Sequence, residues 1–389
     1  MPVIPSREPP ALLDMLRHLI AVPTVSSVDP VRDQTNRPLL EQLAVWLADA
    51  GFHVEWLEIP GSPHKANLLG TLGSGPGGLV LAGHTDTVPF DAPLWRFDPF
   101  RLTEADGRLY GLGTADMKSF LGLALEAARG LDAARLQHPL MILATADEES
   151  SMSGARSLVA AGRPLGRHAL IGEPTGLRPV RAHKGVMGER IRLLGQSGHA
   201  SDPSLGNNAL EGMHEVLGAL LAWREELKRT HRDPAFRIAW PTLSLGHIHG
   251  GDASNRICGH CELHIDIRAL PGQEPAEVRA ELARRVAAVA ERRALTWDVT
   301  PLFEPVPPVA TPATADIVRA AEALTGHPAE TVSFGTEAPF LNRLGMDTIV
   351  LGPGDIDQAH QPNEYLALDR IEPMLGLLRA LIRRFCIEG

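Results

Sequence analysis

A chain of 389 residues exceeds what one hydrophobic core usually supports, and its 44% hydrophobic and 22% charged residues are ordinary for a soluble protein, so two globular domains are expected. A formal charge of −10 argues against nucleic acid or an anionic membrane as partner, and no apolar run approaches a membrane span. Three cysteines do not make a disulfide framework, and the start "MPVIPSREPPALLDMLRHL" has acids and a Pro pair where a secretory signal needs an apolar core, which together predict a reducing cytoplasm.

In chain order, "PALLDMLRHLIAV" and "NRPLLEQLAVWLADAG" read as amphipathic helices, the second ending at Gly51. Strands follow at "HVEWLEI", "NLLGTLG", "GLVLAGHTD", "PLMILATAD" and "HALIGEP", with the helix "MKSFLGLALEAARGL" among them. Continuous apolar strands separated by helices predict an α/β domain whose mixed sheet is covered on both faces. The middle reads β-α-β-β-α-β: "VMGERIRLLG", "NNALEGMHEVLGALLAWREELKR", "TLSLGHIHG", "NRICGHCELHIDIR", "PAEVRAELARRVAAVAERRA" and "LTWDVTPLF". That is the ferredoxin-like plan. The expected organisation is a larger α/β domain of residues 1–182 and 299–389 interrupted by a small inserted domain, residues 183–298.

Two familiar patterns mislead. "GSGPGG" satisfies G-x-G-x-x-G but leads into a strand instead of opening a helix, so it reads as a turn and not a dinucleotide site. "CGHC", Cys258 to Cys261, would be a thiol-disulfide pair at a helix N-terminus; in a regular strand the two cysteines instead point to opposite faces. A thiol or nucleotide-dependent oxidoreductase therefore has only these decoys in its favour.

The chemical signal is dispersed. "LVLAGHTDTV" ends a strand with His84 and Asp86, "LATADEE" with Glu148 and Glu149, and "LIGEPT" with Glu173. Asp116 sits in the Gly-rich "GLGTADMK" and His360 in "VLGPGDIDQAHQP" after another strand. Four of these segments lie past the carboxyl end of a strand, where open α/β sheets assemble active sites. Two imidazoles with several carboxylates and no cysteine suit divalent metals, zinc first. One carboxylate bridging two ions holds them roughly 3.5–4 Å apart.

At these residues, together with "LYGLGTADMK", "RAHKG", "GQSGHASDP", "LGHIHGGDASNRIC", "TEAPF" and "QAHQPNEYL", the sequence resembles the di-zinc amidohydrolase and exopeptidase family of desuccinylases, aminoacylases and carboxypeptidases. The resemblance runs over nearly the whole chain. It implies two divalent ions, zinc with cobalt as substitute: His84 and Glu173 on one, Glu149 and His360 on the other, Asp116 bridging. It makes Asp86 the partner that orients His84, and Glu148 the general base. His199 would reach a neighbouring subunit's site, which implies a homodimer through the inserted lid domain. Asn255 and Arg268 would hold the substrate, Arg268 by its α-carboxylate. Lys184 and Glu337 are further candidate substrate contacts. The implied reaction is hydrolysis of the N-acyl amide of an amino acid, a small-molecule substrate. "TEAPF" and "RAHKG" favour N2-acetyl-L-ornithine, in arginine biosynthesis, over succinyl-diaminopimelate. N-acetylcitrulline, acetylated methionine and short dipeptides stay open. Many relatives have Gly where this chain has Ser119, followed by Phe120, which puts the first helical turn after Asp116 in question. The resemblance also implies a cis bond between Asp116 and Met117.

Overall fold

The computed structural model of the chain describes residues 8–388; residues 1–7 of the stretch weighed above as a signal lie outside them. Two compact units divide the chain. One runs up to Arg181 and resumes with Thr311–Glu330 and from Thr336 onward; the other comprises Ala182–Ala310 and Thr331–Gly335.

The first unit is built on a mixed sheet in the order His53–Glu58, Ala66–Leu72, Leu140–Thr145, Leu79–His84, His168–Ile171, Asp347–Val350. The first three strands pair antiparallel; Leu140–Thr145, Leu79–His84, His168–Ile171 and Asp347–Val350 run parallel. Every residue of Leu79–His84, Leu140–Thr145 and His168–Ile171 is buried. Continuous apolar sequence thus follows from burial on both faces, and the parallel alignment puts the carboxyl ends of four strands on one edge. Helices Leu12–Ala21, Lys118–Ala127 and Ile371–Ile382 pack in succession, the first through Met15, Leu16, Leu19 and Ile20. A small sheet joins Thr103–Ala105, Arg108–Tyr110 and Tyr365–Ala367. "GSGPGG" is, as expected, a turn into Leu79–His84, with Gly73, Gly75, Gly77 and Gly78 all at positive φ.

The second unit is the β-α-β-β-α-β fold that the pattern predicts. Its antiparallel sheet has the order Thr242–Gly250, His260–Arg268, Met187–Leu194, Thr296–Pro301, with helices Ala209–Thr230 and Pro275–Arg292. Ile191, Leu220, Leu263, Ile265, Leu282 and Val286 belong to its core. Asn208 caps the longer helix by accepting from the backbone N–H of Leu210 and Glu211, which fixes where the helix starts. The cysteine reading needs correction. The strand begins at His260, because the backbone before it bonds elsewhere: Ile257 N–H donates to Gly198 and the Cys258 carbonyl accepts from Ala209. Cys258 therefore escapes the strand alternation, and both cysteines are buried in the same apolar core. Burial pushes the Cys261 thiol up to about 11, which makes it a poor nucleophile.

The departure at Ser119–Phe120 is accommodated by glycine elsewhere. The Phe120 ring is buried, and a Cβ on Gly172 would lie 2.0–2.4 Å from its atoms. Gly172 precedes Glu173, so the packing of this ring locates that carboxylate. We expect Gly172→Ala to cost ~1–3 kcal/mol or more by overpacking, read by urea unfolding. Phe120→Leu in the same chain should recover part of the loss, since contacting sites are non-additive.

Candidate metal centre

His84 ends its strand fully buried. Its Nδ1 donates to the main-chain oxygen of Asp86 at 3.0 Å, and this leaves Nε2 as the free ligand atom. Nε2 lies 3.1 Å from Asp116 Oδ1 and 4.0 Å from Glu173 Oε1. The other Asp116 oxygen, Oδ2, is 3.3 Å from His360 Nε2, which is also 3.0 Å from Glu149. Asp116 is therefore flanked by both imidazoles, one on each oxygen. Burial opposes its charge, but His360 and His84 hold its pKa below the ordinary range. The same contacts with Asp116 and Glu149 push His360 up to about 10. The Asp116–Met117 peptide is cis.

His84, Asp116 and Glu149 offer donor atoms within 4.8 Å of one another, and so do His84, Glu148 and Glu173. Burial, then the charge of a neighbour (Glu173 for Glu148, Asp116 for Glu173), lifts Glu148 and Glu173 well above the usual carboxylate range. Glu337 is also buried; Thr145 Oγ1 donates to it at 2.7 Å, and burial raises it to about 7. Carboxylates outnumber imidazoles here, all are oxygen or nitrogen donors, and their surplus negative charge suits divalent cations. The residues present thus fit a metal centre.

Asp86 does more than face the histidine. Its carboxylate is 3.7 Å from His84 Nδ1 and accepts the backbone N–H of Glu148 at 3.2 Å and Glu149 at 3.0 Å. Asp86 thus holds the imidazole through its main-chain oxygen and, through its carboxylate, fixes the turn that carries both glutamates. Behind that turn lies a network missed by sequence reasoning. Lys65, 3% exposed, bonds Asp147 and, at 2.6 Å, Asp33. Asp147 also accepts from Ser26 Oγ at 3.0 Å and Ser153 Oγ at 2.6 Å. A sequence signal for it exists: the chain has four lysines against 33 arginines, and Lys65, Lys118 and Lys184 are all buried. Lysine ends in a compact ammonium group that fits inside where a guanidinium would not.

His199, Asn255, Arg268 and Lys184 belong to the second unit. The Asn255 carbonyl accepts from Ala200 N–H at 3.0 Å, which brings the "GHAS" and "DASN" turns together. His199 is exposed and its Nδ1 contacts Ser201 Oγ at 2.7 Å. Arg268 pairs with Asp266 at 2.9 Å and reaches the Ser333 carbonyl. Lys184 is buried, with Nζ donating to the Trp240 carbonyl at 2.6 Å over the Phe236 ring.

Residues 80–384 match Peptidase family M20/M25/M40, and the chain belongs to that family of amide-bond hydrolases. Among its relatives, it is 50% identical over 377 residues to an acetylornithine deacetylase of Pasteurella multocida (strain Pm70), covering 97% of this chain and 98% of the other. The fold is shared with aminopeptidase PepT from Bacillus cereus (TM-score 0.74, 20% identity, 95% of this chain and 97% of the other). It is shared too with a dinuclear metal-binding M20 peptidase of Bacillus subtilis (TM-score 0.66, 15% identity, 95% and 96%).

The network behind the turn gives a pH-dependent prediction. Burial would push the Lys65 ammonium down, but Asp147 and Asp33 more than offset this and raise it. Asp33, against its own partial burial, is lowered by Lys65. The raised lysine contributes stability that is lost only as pH climbs through its folded pKa, and the lowered aspartate contributes stability lost as pH falls through its folded pKa. Lys65→Met should cost ~3–5 kcal/mol near neutrality by leaving buried carboxylates uncompensated. That penalty should shrink as pH falls toward ~4 and below, where carboxylates protonate. Thermal unfolding across pH reads both.

Proposed function

We propose that this chain removes the acyl group from an N-acyl amino acid, N2-acetyl-L-ornithine in the first place, yielding L-ornithine and acetate for arginine biosynthesis in the cytoplasm. The 50% identical acetylornithine deacetylase supports this substrate. The observation that carries the mechanism is Glu148. Its backbone is pinned on Asp86, and its carboxylate sits beside His84 and Glu173.

In this reading His84, Glu173, Glu149, His360 and Asp116 would hold two divalent ions, zinc or cobalt. When bound, the metals polarise the substrate carbonyl and lower the pKa of the attacking water. Glu148 accepts the proton of that water and delivers it to the departing amine. His199 donates a hydrogen bond to the carbonyl oxygen as it gains charge, acting from a second subunit. Arg268 takes the substrate carboxylate and Asn255 its amide. Lys184 and Glu337, both buried, are further candidate substrate contacts. A dimer through the inserted domain is supported by Thr242–Gly250, an edge strand with Ile248 46% exposed, since unpaired edges invite pairing.

Steady-state assay of N2-acetyl-L-ornithine, N-acetyl-L-citrulline and N-succinyl-diaminopimelate, with zinc or cobalt added back, should give the highest kcat/KM with the first. A higher value with either of the others would reassign the substrate. Glu148→Gln should lower kcat by about 10²–10⁴ with two metal equivalents retained. Glu149→Ala should instead lose one equivalent, counted by elemental analysis.

A further inference from the structure

Glu364 lies four residues after His360, is 1% exposed, and has no counterpart among the metal donors. Its Oε1 accepts the backbone N–H of Ala115 at 2.7 Å and Asp116 at 2.9 Å, and its Oε2 accepts that of Gly113 at 2.9 Å. Its main-chain oxygen takes a fourth donor, Gly111 N–H, at 3.1 Å. The loop leading to Asp116 is therefore wrapped around one carboxylate. The segment that supplies this carboxylate is itself fixed. His360 and Asn363 both have positive φ, Asn363 Oδ1 accepts from Arg96 N–H at 2.5 Å, and Tyr365 pairs with Tyr110 in the small sheet. Lys118, the buried lysine nearby, donates to the Val22 carbonyl at 3.0 Å and leaves Glu364 to the backbone.

We propose that Glu364 is a positioning residue that sets the approach of Asp116 to His360. Two segments distant in sequence each bring one donor, and the Glu364 carboxylate joins them just outside the donor atoms. His360 Nε2 and Asp116 Oδ2 meet at 3.3 Å because the loop that ends in Asp116 is bonded to the residue that follows the His360 turn. The donor pair is thereby ordered in the protein itself, so less order must be imposed when a cation binds. The proposal rests on the assignment of Asp116 and His360 as ligands made above.

The test is a zinc titration of metal-stripped protein against a chromophoric chelator, for the native chain, Glu364→Gln, Glu364→Asp and Leu220→Ala. Glu364→Gln keeps the size but turns an amide N–H toward backbone donors. It should weaken zinc at one or both sites by about 10–100-fold, the range for partners lying behind metal ligands. It should also lower kcat with KM little changed. Glu364→Asp, which retains the charge on a shorter arm, should fall between, and it serves if Glu364→Gln does not fold. Leu220→Ala, in the core of the second unit, should lower the melting temperature yet keep native zinc affinity. Native affinity for both equivalents in the Glu364 variants, with only the melting temperature lowered, would overturn the proposal. Asp116→Ala and His360→Ala in the same titration separate the two failures: native affinity in those would refute the ligand assignment instead.

Discussion

Mutual repulsion among buried carboxylates is the constraint around which the first unit is organised. Asp86, Asp116, Glu149, Glu173 and Glu337, with Glu148 among them, occupy one edge of the sheet, and burial makes each charge costly unless it is matched. The matching is distributed. Asp116 lies between two imidazoles, Asp86 takes two backbone donors, and Asp147 is drawn back onto Lys65 and away from the cluster. The run Asp147–Glu148–Glu149 is thus three carboxylates with three separate surroundings. The first anchors the turn from behind, the second stands beside His84 and Glu173, and the third meets His360.

The fold supplies this arrangement cheaply. Four parallel strands end on the same edge, and the central ones are buried along their whole length, so the backbone ends rigidly where the polar residues begin. Close packing then carries that rigidity to the donors: Gly172 lets the Phe120 ring sit against the strand that leads to Glu173. Turns, backbone N–H groups and an aromatic ring thus fix the starting points of the candidate donor side chains.

Much of this is legible in sequence, for a physical reason. Buried parallel strands are continuous apolar runs, so their ends are visible, and polar residues just beyond them are candidates at once. His84, Asp86, Glu148, Glu149 and Glu173 are found that way, and the change to alternating strands marks the β-α-β-β-α-β insertion. What stays hidden is set by tertiary partners. Lys65 meets Asp147 82 positions away and Ser26 meets the same aspartate across 121, with no period to reveal either. Glu364 spends its carboxylate on backbone N–H groups, which have no sequence identity. Cys258 looks like part of the strand in sequence, but before His260 the backbone bonds to neighbouring segments instead of the sheet.

We propose that this edge holds two cations, with Asp116 shared between them and Glu148 left free. Anomalous diffraction at the zinc edge from crystals of the zinc-loaded protein tests it most directly. Two peaks roughly 3.5–4 Å apart are expected, with Asp116 between them, Glu149 and His360 on one and His84 and Glu173 on the other. A single peak, or Glu148 bound to an ion in place of Glu149 or Glu173, would contradict it.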